Sequence, residues 1–148
     1  MMPDWVGHYI GIPYLERGRD RRGYDCWGLA SAVWREIFAL DVPSYDERYA
    51  CAEDAAEIGR LIRGDLPASP WREVPLKEAR AGDGILLRIK GEPCHVGVIV
   101  EPPYFLHIHR GTGAGLERVD SLLWSRRVLG VFRHEALCEQ PAPMGVKA

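Results

Sequence analysis

Tyr24-Asp25-Cys26-Trp27-Gly28-Leu29-Ala30 is where a loop gives way to a helix. Upstream, Arg17 to Gly23 is charged and punctuated by glycine; downstream, Leu29, Ala30, Ala32, Val33, Trp34, Ile37 and Phe38 fall at helical spacing. Cys26 therefore opens the helix. Backbone N–H groups left over at a helix start, and the positive end of its dipole, favour a thiolate over a thiol, which makes Cys26 a candidate nucleophile. A cysteine taken alone is more often a buried structural residue, so the case needs a base.

His95 is the candidate base. Asp83 to Ile89 and His95 to Val100 read as strands separated by the turn-like Lys90-Gly91-Glu92-Pro93, a hairpin with His95 at the entrance of its second strand. A third strand, Tyr104 to His109, follows Pro102-Pro103, and its His107 and His109 lie two apart and so point to one face. Cysteine, histidine and a third polar group on a neighbouring strand are the parts of a thiol-dependent acyl-transfer site. A zinc site built from Cys94, His95, His107 and His109 is the competing reading. It has no Cys-x-x-Cys or His-Glu-x-x-His spacing behind it and leaves Asp25-Cys26-Trp27-Gly28 without a purpose, so no metal or other cofactor is expected. Cys94, in a turn after Pro93, is the weaker nucleophile.

Around this centre, Pro3 to Tyr9 reads as a short leading helix, and the main helix runs from Cys26 to about Leu40, ahead of Pro43. A second helix is expected from about Glu53 to Arg63, then an ordered connector from Asp65 to Arg80. Further strands are expected at Leu116 to Val119 and Val128 to Arg133, with Asp120 capping a short helix through Trp124. Helices first and antiparallel strands second make an α+β fold, with N-terminal helices packed on a sheet of about five strands. Residues 1–135 are expected to form one domain and 136–148, with Pro141 and Pro143, a loose tail.

The 148 residues are 47% hydrophobic and 27% charged, with a formal net charge of -2. That balance fits a folded domain with no general attraction to nucleic acid. No segment approaches the ~20 apolar residues that span a bilayer, and no basic start precedes an apolar run, so cytoplasmic synthesis without a membrane partner is expected. Cys26, Cys51, Cys94 and Cys138 show no regular spacing and read as thiols. Arg17, Arg19, Arg21 and Arg22, interrupted by Asp20, read as a solvated loop, with contact to an anionic polymer or a substrate carboxylate as the lesser alternative.

Asp25-Cys26-Trp27-Gly28-Leu29 resembles the Asp-Cys-x-Gly-Leu nucleophile motif of the NlpC-type cell-wall peptidases, a papain-like family. Gly11-Ile12-Pro13-Tyr14, Ala81-Gly82-Asp83, His95-Val96-Gly97-Val98 and Phe105-Leu106-His107 follow in the family's order. The resemblance implies a papain-like fold and a Cys26–His95–His107 triad that hydrolyses peptidoglycan stem peptides, at the bond between D-glutamate and the diamino acid. It also implies a substrate-side or oxyanion role for Tyr24, Asp25 and Trp27, leaving His109 as a supporting or substrate-side residue. Trp27 after the cysteine, and Leu15-Glu16-Arg17-Gly18 after the Pro-Tyr pair, resemble the compact variant found with the tails of phages and gene transfer agents. Phage-like tail proteins are accordingly expected partners, and a tail particle the expected destination. A tail-assembly module with vestigial activity is the non-enzymatic alternative; acyl transfer to a lipid or amine has no apolar anchor to support it.

Overall fold

The computed structural model describes residues 2–42, 70–89, 92–109 and 111–138. The helix expected at 53–63 lies outside them. A single turn of 3₁₀ helix, Asp4–His8, leads into a two-stranded hairpin of β1 (Arg19–Asp20) and β2 (Gly23–Tyr24), and then into α1 (Cys26–Glu36). The remaining strands are β3 (Trp71–Val74), β4 (Gly84–Ile89), β5 (Glu92–Glu101), β6 (Tyr104–His109), β7 (Gly113–Arg118) and β8 (Val128–His134). They form one antiparallel sheet in the order β3-β8-β4-β5-β6-β7.

Alternation along these strands sorts the apolar side chains into two cores. Leu86, Val96, Val98, Val100, Leu106 and Ile108 join the buried face of α1, which packs on β5 and β6. Ile85, Leu87, Ile99, Phe105 and Val131 join Val119 and Trp124 from the segment between β7 and β8. Each such side chain, fully buried, contributes about 1.5–3 kcal/mol of transfer free energy. Two polar ties fix the layers. Trp34 in α1 donates its indole N–H to the Gly82 carbonyl at 2.9 Å, and the buried Asp83 carboxylate receives Arg133 of β8 through two bonds of 2.7 and 2.9 Å. Ala81-Gly82-Asp83 thus joins the helix to the sheet.

The α+β class holds, and several boundaries move. The sheet has six strands, because Trp71–Val74, expected within a connector, pairs with β8 in register from Trp71↔His134 to Val74↔Val131. β5 starts at Glu92, so His95 lies inside the strand opposite Leu87. α1 stops at Glu36 and not near Leu40: Ala39 takes a left-handed φ of 58° and the Leu40 N–H returns to the Trp34 carbonyl. No helix forms from Asp120 to Trp124. The segment is a run of turns capped by Ser121, whose hydroxyl accepts the Trp124 N–H at 3.2 Å, while Arg118 holds the Asp120 carboxylate at 2.8 and 3.0 Å. The expected boundary at 135/136 falls inside a helical turn, Glu135–Cys138, whose Leu137 is buried and whose carbonyl receives Arg80.

Candidate active site

Two clusters carry the predicted residues. The first surrounds the start of α1. Asp25 is its N-cap: Oδ1 accepts the Gly28 N–H at 2.7 Å and an Arg19 Nη1 bond at 2.9 Å, and Oδ2 accepts the Arg17 N–H at 3.0 Å. Arg19 also donates to the Gly18 carbonyl at 2.7 Å. The carboxylate expected on the substrate side is thus committed to backbone and guanidinium partners and is only 2% exposed. Gly28 has a steric reason: a Cβ there would lie 2.2 Å from the Gly18 carbonyl oxygen, so only glycine lets the loop close over the first turn. The Arg cluster is largely spent internally, with Arg22 on Asp20 and Arg21 on the His8 carbonyl.

Cys26, the first residue of α1, is a buried thiol, 9% exposed; Cys138 is an exposed one. Trp27 has no exposed surface and meets Trp34 edge-on at 5.5 Å. That corrects its expected place beside substrate, since its side chain is core. Tyr24 is buried on β2, and burial, followed by the Glu36 charge, holds its phenol above the ordinary value, so it is a neutral donor at pH 7.

The second cluster lies on β5 and β6. His95 Nε2 and His107 Nδ1 are 2.8 Å apart with the rings nearly perpendicular, and both residues are 5% exposed. His109 sits edge-on to His95 at 5.9 Å and is half-buried. Of the two histidines on β6, His107 makes the ring-to-ring hydrogen bond. Gly97 permits it: a Cβ there would come 2.9 Å from the Leu106 carbonyl and 3.2 Å from the His107 Cβ, holding the strands apart at this point.

Two residues absent from the sequence reading of the site complete the cluster. Trp124 stacks on His95 at 6.1 Å and 21°, meets His107 edge-on at 4.9 Å, and carries Arg127 over its ring at 5.3 Å. Glu117 of β7 places Oε2 4.0 Å from His107 Nε2. Neither has a motif; only the β6–β7 register and the turns before β8 bring them in. The site is dry. Burial first, then repulsion from His107, His109 and Arg127, pushes His95 well below its ordinary value, and burial with His109 lowers His107 to about 4. Both rings are neutral at pH 7, as a base must be before it accepts a proton.

Residues 11–133 match the NlpC/P60 family. The chain is 24% identical over 127 residues to the murein DD-endopeptidase MepS/murein LD-carboxypeptidase of Escherichia coli (strain K12), covering 84% of this chain and 56% of that protein. It is 25% identical over 118 residues to the probable endopeptidase NlpC homolog of Haemophilus influenzae, covering 80% and 53%. It therefore spans just over half the length of these relatives. Among solved structures, a Staphylococcus aureus protein similar to a lipoprotein of the NLP/P60 family superposes with a TM-score of 0.60 at 25% identity, over 88% of this chain and 39% of that one. The NlpC/p60 domain of the peptidoglycan hydrolase SagA, at 19% identity and a TM-score of 0.55, covers 85% of this chain and 90% of its own. That last likeness is one of fold.

Proposed function

The chain belongs to the NlpC/P60 family, and from that premise we propose that it is a cysteine peptidase that cleaves stem-peptide amide bonds of peptidoglycan. The observation that carries the reading is the 2.8 Å contact between His95 Nε2 and His107 Nδ1, on the two strands that seat the helix opening with Cys26. With His95 Nε2 engaged, Nδ1 is the nitrogen that takes the thiol proton. The Cys26 sulfur attacks the peptide carbonyl carbon, and the oxyanion is received by backbone N–H groups at the start of α1 together with the Tyr24 hydroxyl. The Gly28 and Leu29 amides are outside that set, since both donate to Asp25. The imidazolium returns its proton to the leaving amine, the acyl group stays on sulfur, and water deprotonated by the same Nδ1 releases it.

The bond between D-glutamate and the diamino acid is our choice of target, on the motif resemblance. The E. coli relative is named for DD-endopeptidase and LD-carboxypeptidase activities, so the products decide. Digestion of purified peptidoglycan followed by mass identification of the fragments is the test: a new amine on the diamino acid supports this bond, cleavage at a D-alanine replaces it, and intact peptidoglycan removes the peptidase reading. Association with a phage-like tail, which would carry the enzyme from cytoplasm to wall, rests on Trp27 and Leu15-Glu16-Arg17-Gly18. Its test is the protein's presence in, or absence from, purified particles.

A further inference from the structure

We propose that Glu117 is a positioning residue for the His95–His107 pair: its carboxylate holds the proton of His107 on Nε2 and so leaves His95 Nδ1 unprotonated toward the thiol. This rests on the peptidase reading above. A neutral imidazole has one N–H and one lone pair, and the 2.8 Å contact needs one of each. If His107 donated from Nδ1, His95 Nε2 would be the acceptor, its proton would sit on Nδ1, and the ring would have no lone pair for the Cys26 proton. Only the opposite arrangement works, with His95 donating from Nε2 and His107 protonated on its own Nε2. That second proton needs an acceptor.

Glu117 Oε2 is 4.0 Å from His107 Nε2. The pairing of β6 with β7 puts Phe105 opposite Glu117 and His107 opposite Gly115, so Glu117 and His107 are diagonal neighbours on one face of the sheet. Gly115 has no side chain to intervene. The separation is longer than a hydrogen bond to the neutral ring, and one bridging water, or a rotation of the 41% exposed glutamate side chain, closes it. The other groups around the rings, His109, Arg127 and the Trp124 indole, supply no anionic acceptor. When His95 takes the thiol proton, the same carboxylate offsets part of the charge spread over the pair.

The test reads tautomers directly, by long-range ¹H–¹⁵N spectra of the histidine rings in the unliganded full chain at pH 7. In the wild type, His95 and His107 are both expected to be protonated on Nε2; in Glu117→Ala, His107 should become a mixture of tautomers, and in Glu117→Gln, whose amide oxygen still accepts, it should stay on Nε2. Turnover in Glu117→Ala should fall on the order of tenfold with KM little changed, because the base keeps its place but spends part of its time in the wrong form. A wild-type His107 protonated on Nδ1, or tautomers unmoved by Glu117→Ala, overturns the proposal. The spectra need no substrate, so they stand or fall separately from the peptidase reading.

Discussion

The start of α1 and the histidine cluster on β5 and β6 are assembled by opposite means. At the helix start the cap is built within Arg17 to Gly28, and its geometry is set by charge: Asp25 uses both oxygens on Arg19, the Arg17 amide and the Gly28 amide. In the cluster the partners come from three strands and a turn between residues 95 and 127, and both imidazoles are buried and neutral. A nucleophile needs a fixed backbone around it, which a local cap supplies. A base needs a lone pair kept unprotonated and aimed, which desolvation and a second ring supply.

The sharpest break between the two regions is expected at the thiol. Cys26→Ala should keep its fold and lose on the order of a thousandfold or more in turnover, because the covalent route is gone, whereas Cys94→Ala should turn over as wild type. Peptidoglycan digestion with each variant, alongside thermal melts, checks both halves. His107→Ala is next, at roughly one to three decades, since the base survives without its ring partner. His107→Asn should recover part of that loss if an amide oxygen accepts the His95 N–H, and His109→Ala should act mainly on KM. Rates in the reverse order would move the third role to His109.

The cluster should also make the fold sensitive to acid. His107 titrates near 6.5 unfolded and at about 4 folded, so the unfolded chain binds more protons across that window and stability rises with pH through it. The contribution is complete above about pH 6.5 and is lost as the pH falls toward 4. For this one residue the loss amounts to about 3 kcal/mol, and His95 shifts in the same direction. Denaturant melts at pH 7 and pH 4.5 should show it, with a smaller difference in His107→Gln; an equal difference would mean that the ring is not held neutral. The smallest effect belongs to the helix start. Asp25→Ala removes the cap and should cost about 1–2 kcal/mol in the same melts, more than Asp25→Asn, whose side-chain oxygen still caps.

These contrasts also explain what could be read beforehand. Asp25-Cys26-Trp27-Gly28 was legible because a cap, a helix start and a close backbone approach are written within four residues. His95 and His107 were legible as strand histidines because the apolar residues around them alternate. β3 was not: four residues after Pro70, it exists only because β8, some sixty residues later, pairs with it. Nor did the end of α1 announce itself, since the left-handed residue that stops it is Ala39 and not a glycine. Trp124 and Glu117 share this origin. Their nearness to His107 depends on register and on the turns capped by Ser121, which no local spacing encodes.

The central claim is that the Cys26 sulfur carries the acyl group, and it is tested most directly by rapid acid quench during turnover of a stem peptide, followed by mass analysis of the digested protein. A transient adduct, with the mass of the acyl half of the substrate, is expected on the peptide containing Cys26, formed more slowly in His107→Ala. An adduct on the peptide containing Cys94 or Cys138, or undiminished turnover by Cys26→Ala, would contradict it.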